Sequence, residues 1–129
     1  LEPKNYDGID VTVKDGDGDY IIYQILGGIY YEENIDNCYI KQKKIISELK
    51  SIFSNNIEKK SYTKKHAADM TGNSSNTTTQ FEFKSKDVLR VSCYDWGKQI
   101  EDERGYTDNL RVTIIEANFR NWVNTKAHE

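Results

Sequence analysis

The chain has 129 residues, a length that fits one domain able to bury a real core. Charged residues make up 30% of it and hydrophobic ones 36%, with nine tyrosines leading an aromatic share that offsets part of the apolar deficit. A net charge of −3 argues against a general nucleic-acid binder, which carries a basic footprint, and no window approaches the roughly 18 to 20 apolar residues that span a bilayer.

The charge is unevenly spread. Residues 1–35 set eight acids against two lysines, and residues 36–66 set eight lysines against three acids. A basic helix face lying over an acidic sheet edge accounts for this within one molecule, and steering of a charged partner is the alternative. The first residue is Leu1 rather than Met, so a trimmed chain or a removed leader is open. Two cysteines suit an oxidising compartment, and an exported protein, periplasmic or secreted, is expected.

In chain order, Ile9, Val11 and Val13 alternate into Asp15-Gly16-Asp17-Gly18-Asp19, and the β-prone run Tyr20 to Leu26 ends at Gly27-Gly28. Two strands around an Asp/Gly turn predict a hairpin. Asp15, Asp17 and Asp19 copy the start of an EF-hand loop, but that loop needs Gly at its sixth position and Glu at its twelfth. Tyr20 and Leu26 stand there, so the hairpin turn is preferred and neither metal nor cofactor is expected. Ile29-Tyr30-Tyr31 continues the strand or opens a loop.

Asn34, Asp36 and Asn37 offer N-caps for one long helix over about residues 36 to 57, ended by Asn55-Asn56. Cys38, Ile45, Leu49 and Ile52 form its apolar stripe, flanked by Ile46 and Phe53, and lysines fill the outer face. Residues 58–78 are poor in apolar side chains and predict an exposed loop within a single compact domain, 1–129. Asn73-Ser74-Ser75 and Asn76-Thr77-Thr78 match the N-glycosylation pattern, which carries little weight outside a secretory context.

The clearest period runs from Phe81 to Trp96. Phe81 and Phe83 alternate with charges, Ser85-Lys86-Asp87 makes a turn, and Leu89, Val91 and Cys93 then alternate with Arg90, Ser92 and Tyr94. This predicts a central hairpin with a half-buried second strand. A helical turn around Ile100 before Gly105, a last strand over Leu110 to Ile114 and a short helix at about Ala117 to Asn124 follow. The expected fold is α+β: an antiparallel sheet of about five strands, the long helix on one face and a short C-terminal helix, in the order β-β-α-β-β-β-α.

Three kinds of chemistry are weighed. Cys38 and Cys93 both fall on core faces, and a helix laid across the sheet would bring them within disulfide reach. A Cys93 nucleophile needs a base, and the sequence offers His66 in a lysine-rich loop or His128 near the end. Carboxylates near Asp95, paired with Glu101 or Asp108, are raw material for a small hydrolase. Phosphate-cradling glycine motifs, serine elbows and paired-cysteine zinc patterns are missing from the sequence. The favoured expectation is a non-catalytic protein-binding domain, an exported inhibitor or immunity-type protein. Its contact surface would be acidic and aromatic, made of Tyr94, Asp95, Trp96, Glu101, Asp102 and Asp108, and suited to a basic partner. The competing reading of that stretch has the terminal helix burying both rings.

Overall fold

The structure is a computed structural model that describes residues 5–14, 16, 18, 21–53 and 57–126. Nine elements follow one another: β1 (Gly8–Val13), β2 (Ile22–Tyr30), α1 (Ile35–Ile52), β3 (Glu58–Lys65), β4 (Ser75–Glu82), β5 (Val88–Asp95), α2 (Lys98–Arg104), β6 (Asn109–Ile115) and α3 (Ala117–Thr125). The six strands form one antiparallel sheet in the order β1-β2-β6-β5-β4-β3. β6 thus closes the gap between an N-terminal hairpin and a β3-β4-β5 meander. The α+β class and the antiparallel sheet agree with the expectation, with a sixth strand and a third helix added.

The sixth strand is β3, inside the stretch expected to be a loop. Residues 58–65 are a strand and β4 opens at Ser75, so only 66–74 connects them. β3 reads as polar because it is an edge strand, paired on one side and exposed on nearly every residue. Hydroxyl contacts tie it to β4: Ser61 Oγ to Thr79 Oγ1 at 2.9 Å and Thr63 Oγ1 to Thr77 Oγ1 at 3.1 Å. Its lysines also suit an edge, where charge discourages further strand pairing.

The Asn34 side chain caps α1 by accepting from the Asp36 amide at 2.9 Å. The helix ends at Ile52, before the expected point, because Phe53 turns extended and packs its ring edge-on against Phe81 and Phe83. Cys38, Ile45 and Leu49 are buried as expected, whereas Ile52, the last residue of the helix, is 73% exposed. These side chains meet Phe81, Leu89, Val91, Cys93, Leu110 and Val112 in the core. Gln42 sits among them, buried, and its amide donates to the carbonyl oxygens of Thr77 and Val91 at 2.8 and 2.9 Å. A buried amide is tolerated here because both donors are satisfied.

The Cys38–Cys93 disulfide forms, with Cα atoms 6.1 Å apart at a sequence separation of 55. Gly27 and Gly28 do not end β2. They lie within it, and the Tyr6 ring packs so closely that a Cβ at Gly27 would fall 2.9 Å from Tyr6 Cδ1. The Ser85-Lys86-Asp87 turn is present, with Lys86 at φ 72°. The aspartate-glycine segment, expected to form the hairpin turn, falls mostly outside the described residues, and so does the expected Asn55-Asn56 helix stop. Among the described residues no helix is long and apolar enough to cross a membrane.

Candidate functional site

Alternation along the paired strands divides the sheet into two faces. Leu89, Val91, Cys93 and Asp95 point toward α1, and Arg90, Ser92 and Tyr94 point away. Register carries Asn109 and Arg111 of β6, Asn76 and Thr78 of β4, and Tyr30 of β2 onto the face away from α1. That face is polar yet partly closed. Thr78, Ser92, Asn76 and Asn109 are buried, and the Thr78 hydroxyl bonds both Asn76 Oδ1 and the Ser92 hydroxyl.

At the end of the sheet where β5 finishes, the 66–74 connection folds over this face. Asp69 organises it. Its Oδ1 accepts from the Thr71 amide at 2.9 Å and hydroxyl at 2.6 Å, and its Oδ2 accepts from the Ser74 hydroxyl at 2.6 Å. These bonds, Ser74's first and then Thr71's, hold the Asp69 carboxyl down to about 2 against the opposing effect of burial. Ser74 Oγ in turn accepts from the Gly97 amide at 2.8 Å, and a Cβ at Gly97 would meet Asn73 Cβ at 2.9 Å. The loop therefore seats directly on the start of α2.

This seating places His66 against Trp96, with ring centroids 4.5 Å apart. Tyr106 covers another side of the indole at 4.9 Å, and Tyr94 stacks near it at 6.1 Å. Trp96 is thus only 8% exposed. Its covers are His66 and Tyr106, not the C-terminal helix considered in the competing reading. α3 packs elsewhere, through Tyr23 on Phe119 and an Arg120–Glu82 ion pair of 3.2 Å. His66 Nδ1 accepts from the Ala68 amide at 3.1 Å, which fixes the neutral form. Burial, then Arg111 and Lys64, push its pKa down, with Asp69 opposing.

Beside the ring cluster lies a cleft of about 580 Å³, lined by Tyr30, His66, Trp96, Tyr106, Asn109 and Arg111 among others. The Arg111 guanidinium lies over the Tyr94 ring at 4.3 Å, and its Nε donates to Asn109 Oδ1 at 3.0 Å.

The sequence-derived site residues separate into two groups. Tyr94 is half-buried under Arg111 and Trp96 is enclosed, both on the face away from α1. Asp95 lies on the other side, toward the start of α1. Its pKa is raised by burial first, then by Asp108 and Asp36. Asp108 is also raised by burial, and by Glu101, while its bond from the Trp96 amide, 2.7 Å to Oδ1, pulls the other way. Asp95, Asp108, Glu101 and Asp36 therefore form one electrostatically connected strip. Asp102 is exposed and pairs with Lys98 at 3.6 Å on the same helix. Among the described residues no cation pairs with Asp36, Asp95, Glu101 or Asp108.

The disulfide consumes Cys93, so the thiol nucleophile is ruled out in this state, and His128 lies outside the described residues. Asn76, one of the two glycosylation matches, is buried within β4, while Asn73 is exposed on the loop. No group of three metal-binding side chains occurs among the described residues.

Comparison of the chain with protein-family models, curated proteins and solved structures gives no match. The site is therefore defined by its geometry. Sequence reasoning missed Arg111, Tyr30, Tyr106 and Asn109, which converge from β2, β6 and the α2–β6 connection. The available signal was the alternation of Asn109 and Arg111 with Leu110 and Val112, which puts the polar pair opposite the core.

Proposed function

We propose that this chain is a non-catalytic protein-binding domain of the inhibitor or immunity type, which engages a partner's basic surface through the acidic end of its sheet. The observation that carries the reading is the strip Asp36–Asp95–Asp108–Glu101, in which Asp95 and Asp108 are half-buried and raised above the ordinary carboxyl pKa beside further acids, without a cation partner among the described residues. Like charges held together in partial burial cost stability. A partner's lysines or arginines would offset that cost and set the orientation of docking. Tyr30 and Tyr106, 61% and 41% exposed, supply aromatic contact area at the same end of the sheet. The disulfide suits an oxidising compartment and hence an exported protein.

A small hydrolase working through Asp95 and Asp108 draws on the same raised carboxyls. It ranks second because Asp108 Oδ1 is tied to the Trp96 amide and neither acid lines the cleft.

The test is affinity capture from the source cells with the native chain and with an Asp95→Asn, Glu101→Gln, Asp102→Asn variant. The reading expects a partner with a basic contact surface that is captured by the native chain, released by salt, and lost with the variant. Equal capture by both chains, or turnover of a substrate that Asp95→Asn abolishes, contradicts it.

A further inference from the structure

We infer that the cleft on the sheet face away from α1 is a binding site for a carboxylate held next to an aromatic ring, with Arg111 holding the carboxylate and Tyr30, Trp96 and Tyr106 contacting the ring. This goes beyond the protein-binding reading: the cleft shares Tyr30 and Tyr106 with that surface but is centred on Arg111, across the sheet from Asp95.

Three observations carry the inference. First, the guanidinium is already fixed in place. Its Cζ lies 4.3 Å from the centre of the Tyr94 ring, and Asn109 Oδ1 accepts from its Nε at 3.0 Å. Asn109 is itself buried and anchored through its Nδ2, which donates to the Thr107 carbonyl oxygen at 2.9 Å. Second, the rest of the fork is unspent. Among the described residues no carboxylate pairs with Arg111, and its two terminal nitrogens donate to no protein acceptor. A planar guanidinium oriented in this way matches the two oxygens of a carboxylate. Third, the space and its walls suit a ring. A volume of about 580 Å³ lies within the usual range for small-molecule sites. Its aromatic walls come from separate chain segments already held together by the His66–Trp96–Tyr106 contacts.

The charges around the cleft select further. His66 is neutral and faces Arg111 and Lys64, which favour an anion. Glu32 also lines the cleft and disfavours a second negative charge. A single carboxylate is therefore preferred over a phosphate dianion. It can arrive as a free aromatic acid or as an acidic side chain next to a tyrosine in a peptide.

The experiment uses the disulfide-bonded full chain and follows the Trp96 indole N–H by heteronuclear NMR. The probes are 4-hydroxyphenylacetate, its neutral amide, inorganic phosphate, and the blocked peptide acetyl-Tyr-Glu-Tyr-amide. The expected result is a saturable shift with the acid at millimolar concentration or below. Binding falls roughly tenfold or more with the amide, and again with Arg111→Gln, the loss expected for one charge-assisted contact. Glu32→Gln should tighten the acid severalfold, a change that a purely structural Arg111 would not produce. Tighter binding of the peptide assigns the carboxylate to a protein segment, and tighter binding of the free acid assigns it to a small molecule. Equal affinity for acid and amide in the native chain, or no saturable shift with either carboxylate probe, overturns the inference whatever the variants do. Phosphate binding as tightly as the acid overturns the carboxylate preference.

Discussion

The imidazole of His66 lies against the indole of Trp96 at 4.5 Å, and this contact closes the end of the sheet on which the site is built. It also makes that end sensitive to pH. His66 is held neutral by burial and by Arg111 and Lys64, so its folded pKa is below the unfolded value of 6.5. A lowered histidine favours folding fully above the unfolded pKa, and the contribution is lost as pH falls below 6.5 toward the folded value. Urea midpoints should drop between pH 7.5 and 5.5 in the native chain, and the drop should shrink in His66→Gln. Parallel curves for the two chains would contradict this.

Asp69 controls the seating of the same loop. Asp69→Asn replaces one carboxylate oxygen by a donor, so either Ser74 or Thr71 loses its acceptor. The expected outcome is faster hydrogen exchange at the Gly97 amide, which depends on Ser74 Oγ, and a red shift of Trp96 fluorescence. The pH dependence has the usual sign for a lowered carboxyl. Its contribution is present above the unfolded value of 3.8 and is lost as pH falls toward about 2. The Asn variant should lack that limb of the acid-unfolding curve.

The α1 clamp rests on a covalent and a polar contact. Replacing both Cys38 and Cys93 by Ala should cost about 4 kcal/mol, the chain-entropy value for a loop of this length. Gln42→Leu leaves the Thr77 and Val91 carbonyls without its amide and should cost roughly 1 to 3 kcal/mol. Urea unfolding measures both, and native-like midpoints would show that α1 is held by apolar packing alone.

Lys86 occupies a left-handed turn position at φ 72°. Lys86→Gly should stabilise the hairpin by about 1 kcal/mol, since the ion pair it gives up with Glu82 is long and solvent-exposed. The unfolding midpoint should rise, and a fall would mean that the lysine side chain contributes more than its backbone costs.

The legible parts of the fold were those where a period coincides with burial on one face. The alternation of Leu89, Val91 and Cys93, set beside a helix stripe beginning at Cys38, is enough to predict both the central strand and the disulfide. β3 was hidden because an edge strand exposed on both faces has no apolar face to alternate, and its lysines read as loop. Gln42 was hidden because a polar residue in a helix stripe looks like a break in it, whereas here strand carbonyls satisfy the amide. The enclosure of Trp96 was the least legible feature. Its covers, His66 and Tyr106, come from segments that only tertiary folding brings together, through an aspartate whose partners lie within its own loop. The acids near Asp95 are visible in the sequence, and the alternation that sets Asp95 opposite Tyr94 implies that the plane of the sheet divides them from the rings.

The most direct test of the central claim, that the acidic end of the sheet is kept for a partner, measures stability and capture on the same variant. Asp95 has a raised carboxyl, so its charge costs the folded state stability at neutral pH, and that cost vanishes once pH falls below 3.8, where both states are protonated. Asp95→Asn, Glu101→Gln, Asp102→Asn should therefore unfold at a higher urea concentration than the native chain at pH 7, converge with it in acid, and fail to retain the captured protein. A variant that is less stable at pH 7, or that holds the same protein to the same salt concentration, contradicts the account.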